Sequence, residues 1–250
     1  MKRSAVLIAL VLASCGGDDS SGSGSSKPRL VVSAASSMTE ALNACSSEFA
    51  EATVRLSFAG SDELAAQIRQ GVRPDVYAAA NTKLPDALHA EGLLDKPVEF
   101  AANELVLAVP AGSEIGSVDD LTAKGVTIAI GDEDVPIGSY TRETLGKLPA
   151  TEEKAILANV RSNEPDVKGI VGKLTQGAVD AGFVYVTDVD AAGSDLKAVE
   201  LPPDVEPRVT YAAGVVEGAK HPEQARVYVD ELLEGPCADA LRDAGFGAAP

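Results

Sequence analysis

From Arg29 onward, short apolar runs alternate with stretches of helical periodicity, and no other feature of this chain narrows its fold so far. The runs at 30–33, 54–58, 75–79, 105–109, 126–130, 182–186 and 210–216 have the length and composition of strands. Between them, 39–51, 62–70, 84–91, 140–148, 152–159, 167–176 and 222–233 space their apolar residues as helices do. Parallel strands need a crossover connection, usually a helix, so this alternation predicts an α/β fold with mixed or parallel sheets flanked by helices. No internal repeat of about 20–50 residues is visible, which excludes solenoids and propellers.

A chain of 250 residues is long for one small core and natural for two domains. Two segments are suited to carry the chain between them: 105–109, ending at Pro110, and the proline-rich stretch from Pro202 to Pro207 that leads into 209–216. Two crossings return the end of the chain to the first domain. The expected division is 28–104 plus 208–250 as one lobe and 105–207 as the other, with a hinged cleft between them.

The N-terminus carries its own signals. Lys2 and Arg3 precede an aliphatic run, 5–13, that is too short to span a bilayer, which takes about 20 residues. It fits the apolar region of a secretory signal. Leu12-Ala13-Ser14-Cys15 follows and resembles the lipobox of bacterial lipoproteins, which implies cleavage before Cys15 and acylation of its thiol. Residues 16–26 are almost entirely Gly, Ser and Asp, a composition that cannot repay the entropy of ordering. The expectation is a signal peptide at 1–14, a flexible tether at 15–27, and an exported protein. It would be held by lipid on the outer face of the cytoplasmic membrane or in the periplasm, with no other membrane contact.

Losing Lys2 and Arg3 takes the formal net charge from −17 to −19. So acidic a body excludes nucleic acid as a partner through bulk electrostatics and repels anions at long range. Any anion site must therefore win through local donors. With Cys15 assigned to lipid, Cys45 and Cys237 remain as an even pair outside the cytoplasm, a disulfide candidate. The alternative is two unpaired, buried thiols. A directly coordinated metal is not expected, because only His89 and His221 are present and neither lies at ligand spacing from another His or Cys.

Four segments lead from a strand into a helix through small or hydrogen-bonding residues: Ser36-Ser37, Gly60-Ser61, Pro136-Ile137-Gly138 and Asp166-Val167. Helix N-termini expose unpaired N–H groups and a partial positive charge, which suits anions. The serine hydroxyls and Tyr185, at the end of a strand, would add donors. Each residue alone also has a purely structural reading: a serine before a helix is commonly an N-cap, and a strand tyrosine a core aromatic with a satisfied hydroxyl.

In order along the chain, several segments resemble the molybdate-binding protein of bacterial ABC importers. They are Ala34-Ala35-Ser36-Ser37-Met38-Thr39-Glu40-Ala41-Leu42, Phe58-Ala59-Gly60-Ser61, Gly71 through Pro74-Asp75-Val76 and Asn103-Glu104-Leu105-Val106-Leu107. Further along come Gly131-Asp132, Val135-Pro136-Ile137-Gly138-Ser139-Tyr140, Asp166-Val167, Gly182-Phe183-Val184-Tyr185, Val215-Val216-Glu217-Gly218 and Gly235-Pro236 leading to Gly245-Phe246. The resemblance runs from about Leu30 to Phe246 and implies the two-lobed type II periplasmic binding fold.

It also implies an oxyanion held by the hydroxyls of Ser37, Ser61 and Tyr185 and the backbone amides of Ile137 and Val167. Ser36, beside Ser37, leaves that register open by one residue, and the family often has a smaller residue where Ile137 stands. The implied ligand is molybdate or tungstate, the implied partner an ABC permease, and the implied state a monomer without cofactor or enzymatic activity. Molybdate is fully deprotonated at neutral pH, so a site built of donors alone suits it. The alternatives are a different oxyanion, sulfate or phosphate, and a secreted serine hydrolase. The hydrolase needs His89 or His221 as base, and neither stands at one of the turns, nor is there a Gly-x-Ser-x-Gly elbow.

Overall fold

A computed structural model describes residues 27–249. Cys15, the expected signal at 1–14 and the tether as far as residue 26 lie outside the described residues. The chain begins with β1 (Arg29–Ala35), α1 (Thr39–Ser46), β2 (Thr53–Ala59), α2 (Ser61–Arg69), β3 (Val76–Ala79), α3 (Lys83–Ala90) and β4 (Val98–Asn103). It continues through β5 (Leu105–Pro110), β6 (Ile128–Gly131), α4 (Pro136–Gly146), α5 (Ala150–Asn159) and β7 (Val160–Glu164). Then follow α6 (Val167–Thr175), β8 (Ala181–Tyr185), α7 (Val186–Ala192) and β9 (Leu196–Val199). The last elements are β10 (Val209–Val215), α8 (Pro222–Leu233), α9 (Pro236–Asp243) and β11 (Gly247–Ala248).

Two sheets result. One has six strands in the order β11-β4-β10-β3-β1-β2, the other five in the order β7-β6-β8-β5-β9. Glu104 alone separates β4 from β5, so the chain leaves the first sheet at that residue and returns between β9 and β10. Both sheets are mixed. β1 runs parallel to β2 and β3 while β10 is antiparallel to β3 and β4; β6 runs parallel to β7 and β8 while β5 is antiparallel to β8 and β9. The strands that return from the other sheet supply antiparallel partners, because no crossover helix sets their direction.

Burial follows strand position. Every residue of β3, β8 and β10 is buried, as expected for central strands covered on both faces. The edge strands β2 and β7 alternate between exposed and half-buried residues. β7, with the sequence Val-Arg-Ser-Asn-Glu, has a single apolar residue, and its place is held by parallel pairing to β6. That explains why periodicity does not reveal it. β4, β9, β11, α7 and α9 are likewise unmarked by the sequence patterns, and α1 stops at Ser46 rather than running to residue 51. Beyond Ser46 the chain turns Phe49 into the core.

Proline fixes several helix starts: Pro136, Pro222 and Pro236 sit in the first turns of α4, α8 and α9, where a missing N–H costs nothing. Cys45 of α1 and Cys237 of α9 form a disulfide across 192 positions of sequence, with their Cα atoms 4.8 Å apart. Among the described residues, no helix is long and apolar enough to cross a membrane.

Candidate functional site

The four turns converge. Between the two sheets lies a small cleft lined by Ser36, Ser37, Gly60, Ser61 and Ala80 from one side. From the other side come Val135, Pro136, Ile137, Asp166, Val167 and Tyr185. All follow or end the C-terminal edges of β1, β2, β3, β6, β7 and β8, the edge at which open α/β sheets bind ligands. Ser36, Ser37, Ser61, Ile137, Val167 and Tyr185, singled out in the sequence, are thus brought together.

Neither Ser37 nor Ser61 acts as a helix cap. Gly60 is the N-cap of α2, Ser61 is its first residue, and no side-chain capping bond is made. Instead the Ser61 hydroxyl oxygen accepts from the Ala80 N–H at 3.1 Å, while the Ser61 carbonyl accepts from the Tyr77 hydroxyl at 2.7 Å. Ser61 is fully buried and held from both ends, with its own hydroxyl proton left to donate. Ser37 lies in a 3-10 turn, Ser36–Met38, that also lacks a side-chain cap. Its Oγ is 2.9 Å from the Tyr211 hydroxyl.

On the facing side, Ile137 and Val167 stand in the first turns of α4 and α6, where the N–H groups have no acceptor within the helix. The α4 turn is packed so closely over the end of β6 that a Cβ on Gly138 would sit 1.8 Å from the Asp132 carbonyl oxygen. Only glycine fits. Asp166 is the one acid among the lining residues, and its Oδ1 accepts from the Gly169 N–H at 3.0 Å as the N-cap of α6.

Tyr185 departs from the ordinary pattern of a core tyrosine. The residue is 1 % exposed, yet its hydroxyl has no hydrogen-bond partner among the described residues. Leaving such a group unpaired costs about 1–3 kcal/mol. Burial, aided by nearby Tyr211, Tyr140 and Asp188, raises its pKa well above the usual tyrosine value, so it remains a protonated donor.

The cation closest in sequence to these donors is not free to neutralise an anion. Lys168 pairs with Glu40 of α1 at 2.9 Å and with Asp188 of α7 at 3.2 Å. Burial opposes the charge of Lys168, but the two carboxylates outweigh it and raise its pKa. Asp188 has no side-chain exposure, and its burial prevails over the stabilising lysine to bring its pKa up to about 6. Glu40 belongs to the six-stranded side and Lys168 to the five-stranded side, so this ion pair spans the cleft. On the same boundary, a Cβ on Gly60 would come within 2.4 Å of the Pro165 carbonyl oxygen. The two halves therefore meet in a closed arrangement.

The histidines lie elsewhere. His89 Nδ1 bonds the Leu94 carbonyl oxygen at 2.9 Å, and the His221 N–H donates to Asp75 Oδ1 at 2.7 Å; neither lines the cleft. Several residues that complete the site were not singled out in the sequence: Tyr211 and Asn103 behind Ser37, and Lys168 and Asp188 beside Val167 and Tyr185. Lys168 follows the turn Asp166-Val167 and Asn103 opens a segment that carries the resemblance, while Tyr211 and Asp188 have no local signal of a role at the site, since their partners are far off in the chain.

Residues 30–247 match the family described as bacterial extracellular solute-binding protein. The chain is 32% identical over 224 residues to the molybdate-binding protein ModA of Mycobacterium tuberculosis, covering 87% of this chain and 84% of that one. It is 29% identical to the putative ABC transporter substrate-binding lipoprotein YvgL of Bacillus subtilis, over 96% of this chain and 94% of the relative. The Azotobacter vinelandii periplasmic molybdate-binding protein superposes with a TM-score of 0.76 at 20% identity, covering 88% of this chain and all of that one, a likeness of fold.

Proposed function

The chain belongs to the family of bacterial extracellular solute-binding proteins, and on that footing we propose that it captures molybdate in the cleft between its sheets. The observation that carries the reading is the buried Tyr185 hydroxyl without a partner among the described residues, in the lining of a cleft whose serines and helix starts offer donors and whose one acid, Asp166, is engaged as the cap of α6. An acceptor-only dianion gives that hydroxyl its partner. In this reading Ser37, Ser61 and Tyr185 donate through hydroxyls and Ile137 and Val167 through amides, with Ser36 beside Ser37. Hydrogen bonds to a charged ligand contribute about 1.5–3 kcal/mol each, so five donors support tight binding without a free cation.

The lobes 28–104 plus 208–250 and 105–207 close on the ligand, and the loaded monomer delivers it to an ABC permease. Tungstate, of nearly the same size and charge, binds as well. Cleavage before Cys15 and its acylation hold the protein at the membrane. The name of the Bacillus relative, a lipoprotein, supports this part of the reading, as does that of the Mycobacterium relative for the ligand. A solute-binding role also removes any need for a catalytic base near the serines.

Calorimetry on purified, ligand-free protein tests the proposal. Molybdate and tungstate should bind with nanomolar to micromolar dissociation constants, and sulfate far more weakly. Absence of heat with both molybdate and tungstate would sink it.

A further inference from the structure

Behind Ser37 runs a buried chain of hydrogen bonds whose direction is set by the backbone. The Glu104 N–H donates to Asn103 Oδ1 at 2.9 Å. A backbone N–H can only donate, so the Asn103 amide is held in one orientation, with its two Nδ2 hydrogens facing away from Glu104. Those hydrogens have two acceptors: Thr187 Oγ1 at 2.9 Å and the Tyr211 hydroxyl oxygen at 3.4 Å. The Tyr211 hydroxyl accepts from Asn103, and the acceptor within reach of its own proton is Ser37 Oγ, 2.9 Å away. One of the two lone pairs of Ser37 is thereby occupied, and its own proton is left for a ligand in the cleft. Asn103 ends β4 at the passage between the sheets, Tyr211 lies in β10 and Thr187 in α7, so the chain of bonds is anchored in both halves.

We propose that Tyr211, oriented by Asn103, is a positioning residue that makes Ser37 a one-way donor and so selects oxyanions carrying no proton. The proposal rests on the reading of the cleft as an oxyanion site and adds the origin of its selectivity. Ser61 is biased in the same sense by the Ala80 N–H. A ligand O–H that donates to either hydroxyl leaves that serine's own proton without an acceptor, which disfavours a protonated oxyanion. Asp166, the acid of the lining, is engaged through Oδ1 by the Gly169 N–H.

Tyr211→Phe isolates the effect. The ring packs edge-on against Phe100, Tyr185 and Phe246, with centroids 6.2, 6.0 and 5.3 Å away, and phenylalanine preserves those contacts. Without the hydroxyl, Ser37 is free to rotate and to accept. The measurement is calorimetric titration of wild type and variant with molybdate, selenate and monohydrogen arsenate at mildly alkaline pH. Selenate and monohydrogen arsenate are of similar size and equal charge, and only the second carries a proton.

In Tyr211→Phe, molybdate binding should weaken on the order of tenfold, and the preference for selenate over hydrogen arsenate should fall by a similar factor. A tyrosine that served packing alone would weaken both dianions together; an unmoved preference overturns the proposal. Asn103→Asp provides a second reading should Tyr211→Phe not fold. Its carboxylate accepts from Tyr211 in place of donating, which reverses the relay, and the same preference must fall. Wild type that binds none of these anions would instead overturn the underlying oxyanion reading.

Discussion

At the scale of single residues, the proposed site depends on serine hydroxyls whose protons are left over after their oxygens have accepted a bond. Ser61 accepts from the Ala80 N–H, so Ser61→Ala removes a proposed ligand donor and strands a buried amide. Molybdate affinity should drop about tenfold to a hundredfold by calorimetry, the equivalent of about 1.5–3 kcal/mol. Tyr185 differs. Its hydroxyl has no protein partner among the described residues when the halves are closed, so Tyr185→Phe removes only the proposed bond to the ligand and should weaken molybdate binding about tenfold while leaving ligand-free stability in chemical denaturation within about 1 kcal/mol. A variant that loses both stability and affinity would contradict this.

Asp188 gives a pH signature. Its folded pKa of about 6 lies above the ordinary value near 3.8, so the folded state holds this proton more tightly than the unfolded chain does. Its contribution is therefore greatest below about pH 4 and is lost as pH rises through 6. Relative to Asp188→Asn, wild type should lose up to about 3 kcal/mol between pH 4 and 7, read as the difference between two denaturation profiles.

At the scale of elements, the functional groups are presented by helix starts, and the approach of those starts is limited by glycine. Gly60 has φ −59° and ψ 138°, a conformation alanine adopts freely; a Cβ there would meet the Pro165 carbonyl oxygen of the other half at 2.4 Å and, in its own half, Asp62 Oδ1 at 2.8 Å, a side chain able to turn aside. Gly60→Ala should leave ligand-free stability nearly unchanged yet weaken molybdate binding by about 1–3 kcal/mol, because the closed contact with Pro165 is overpacked. Equal binding by the variant would show that the halves need not meet there. The disulfide works on a different pair of elements, α1 and α9, and lies away from the cleft lining. Replacing Cys45 and Cys237 with alanine should cost about 2–5 kcal/mol of stability and leave affinity nearly intact.

At the scale of the whole molecule, an acidic body carries a site for an anion. The formal net charge is −17, and Lys168, a cation beside the cleft, is shared by Glu40 and Asp188. Short-range donors must overcome long-range repulsion. Added salt screens the second far more than the first, since the Debye length falls from about 30 Å at 0.01 M to about 8 Å at 0.15 M. Stopped-flow association of molybdate should accordingly quicken as ionic strength rises, the reverse of what a basic pocket produces. A rate that falls with salt would mean that positive potential, and not a set of neutral donors, governs capture.

Local order determined much of this protein. The alternation of strands and helices declared the α/β class, because periodicity is a property of neighbours in sequence. Three of the four turns were visible for the same reason, each being a strand end, a small residue and a helix start, while Asp166-Val167 showed only its helix start. Their convergence was not visible from spacing; it entered through a family resemblance, and the closed arrangement of the two halves is what brings Ser37, Ser61, Ile137, Val167 and Tyr185 into one cleft. Tertiary structure alone decided what each serine does. Ser37 and Ser61 have the sequence context of helix caps, and distant partners, Tyr211 and the amide of Ala80, occupy their oxygens instead. Edge strand β7 escaped notice because its place is secured by backbone pairing to β6, which has no side-chain signature. The direction of the proton on Ser37 depends on Glu104, Asn103 and Tyr211 together, and no pattern along the chain encodes a hydrogen bond between residues 174 positions apart.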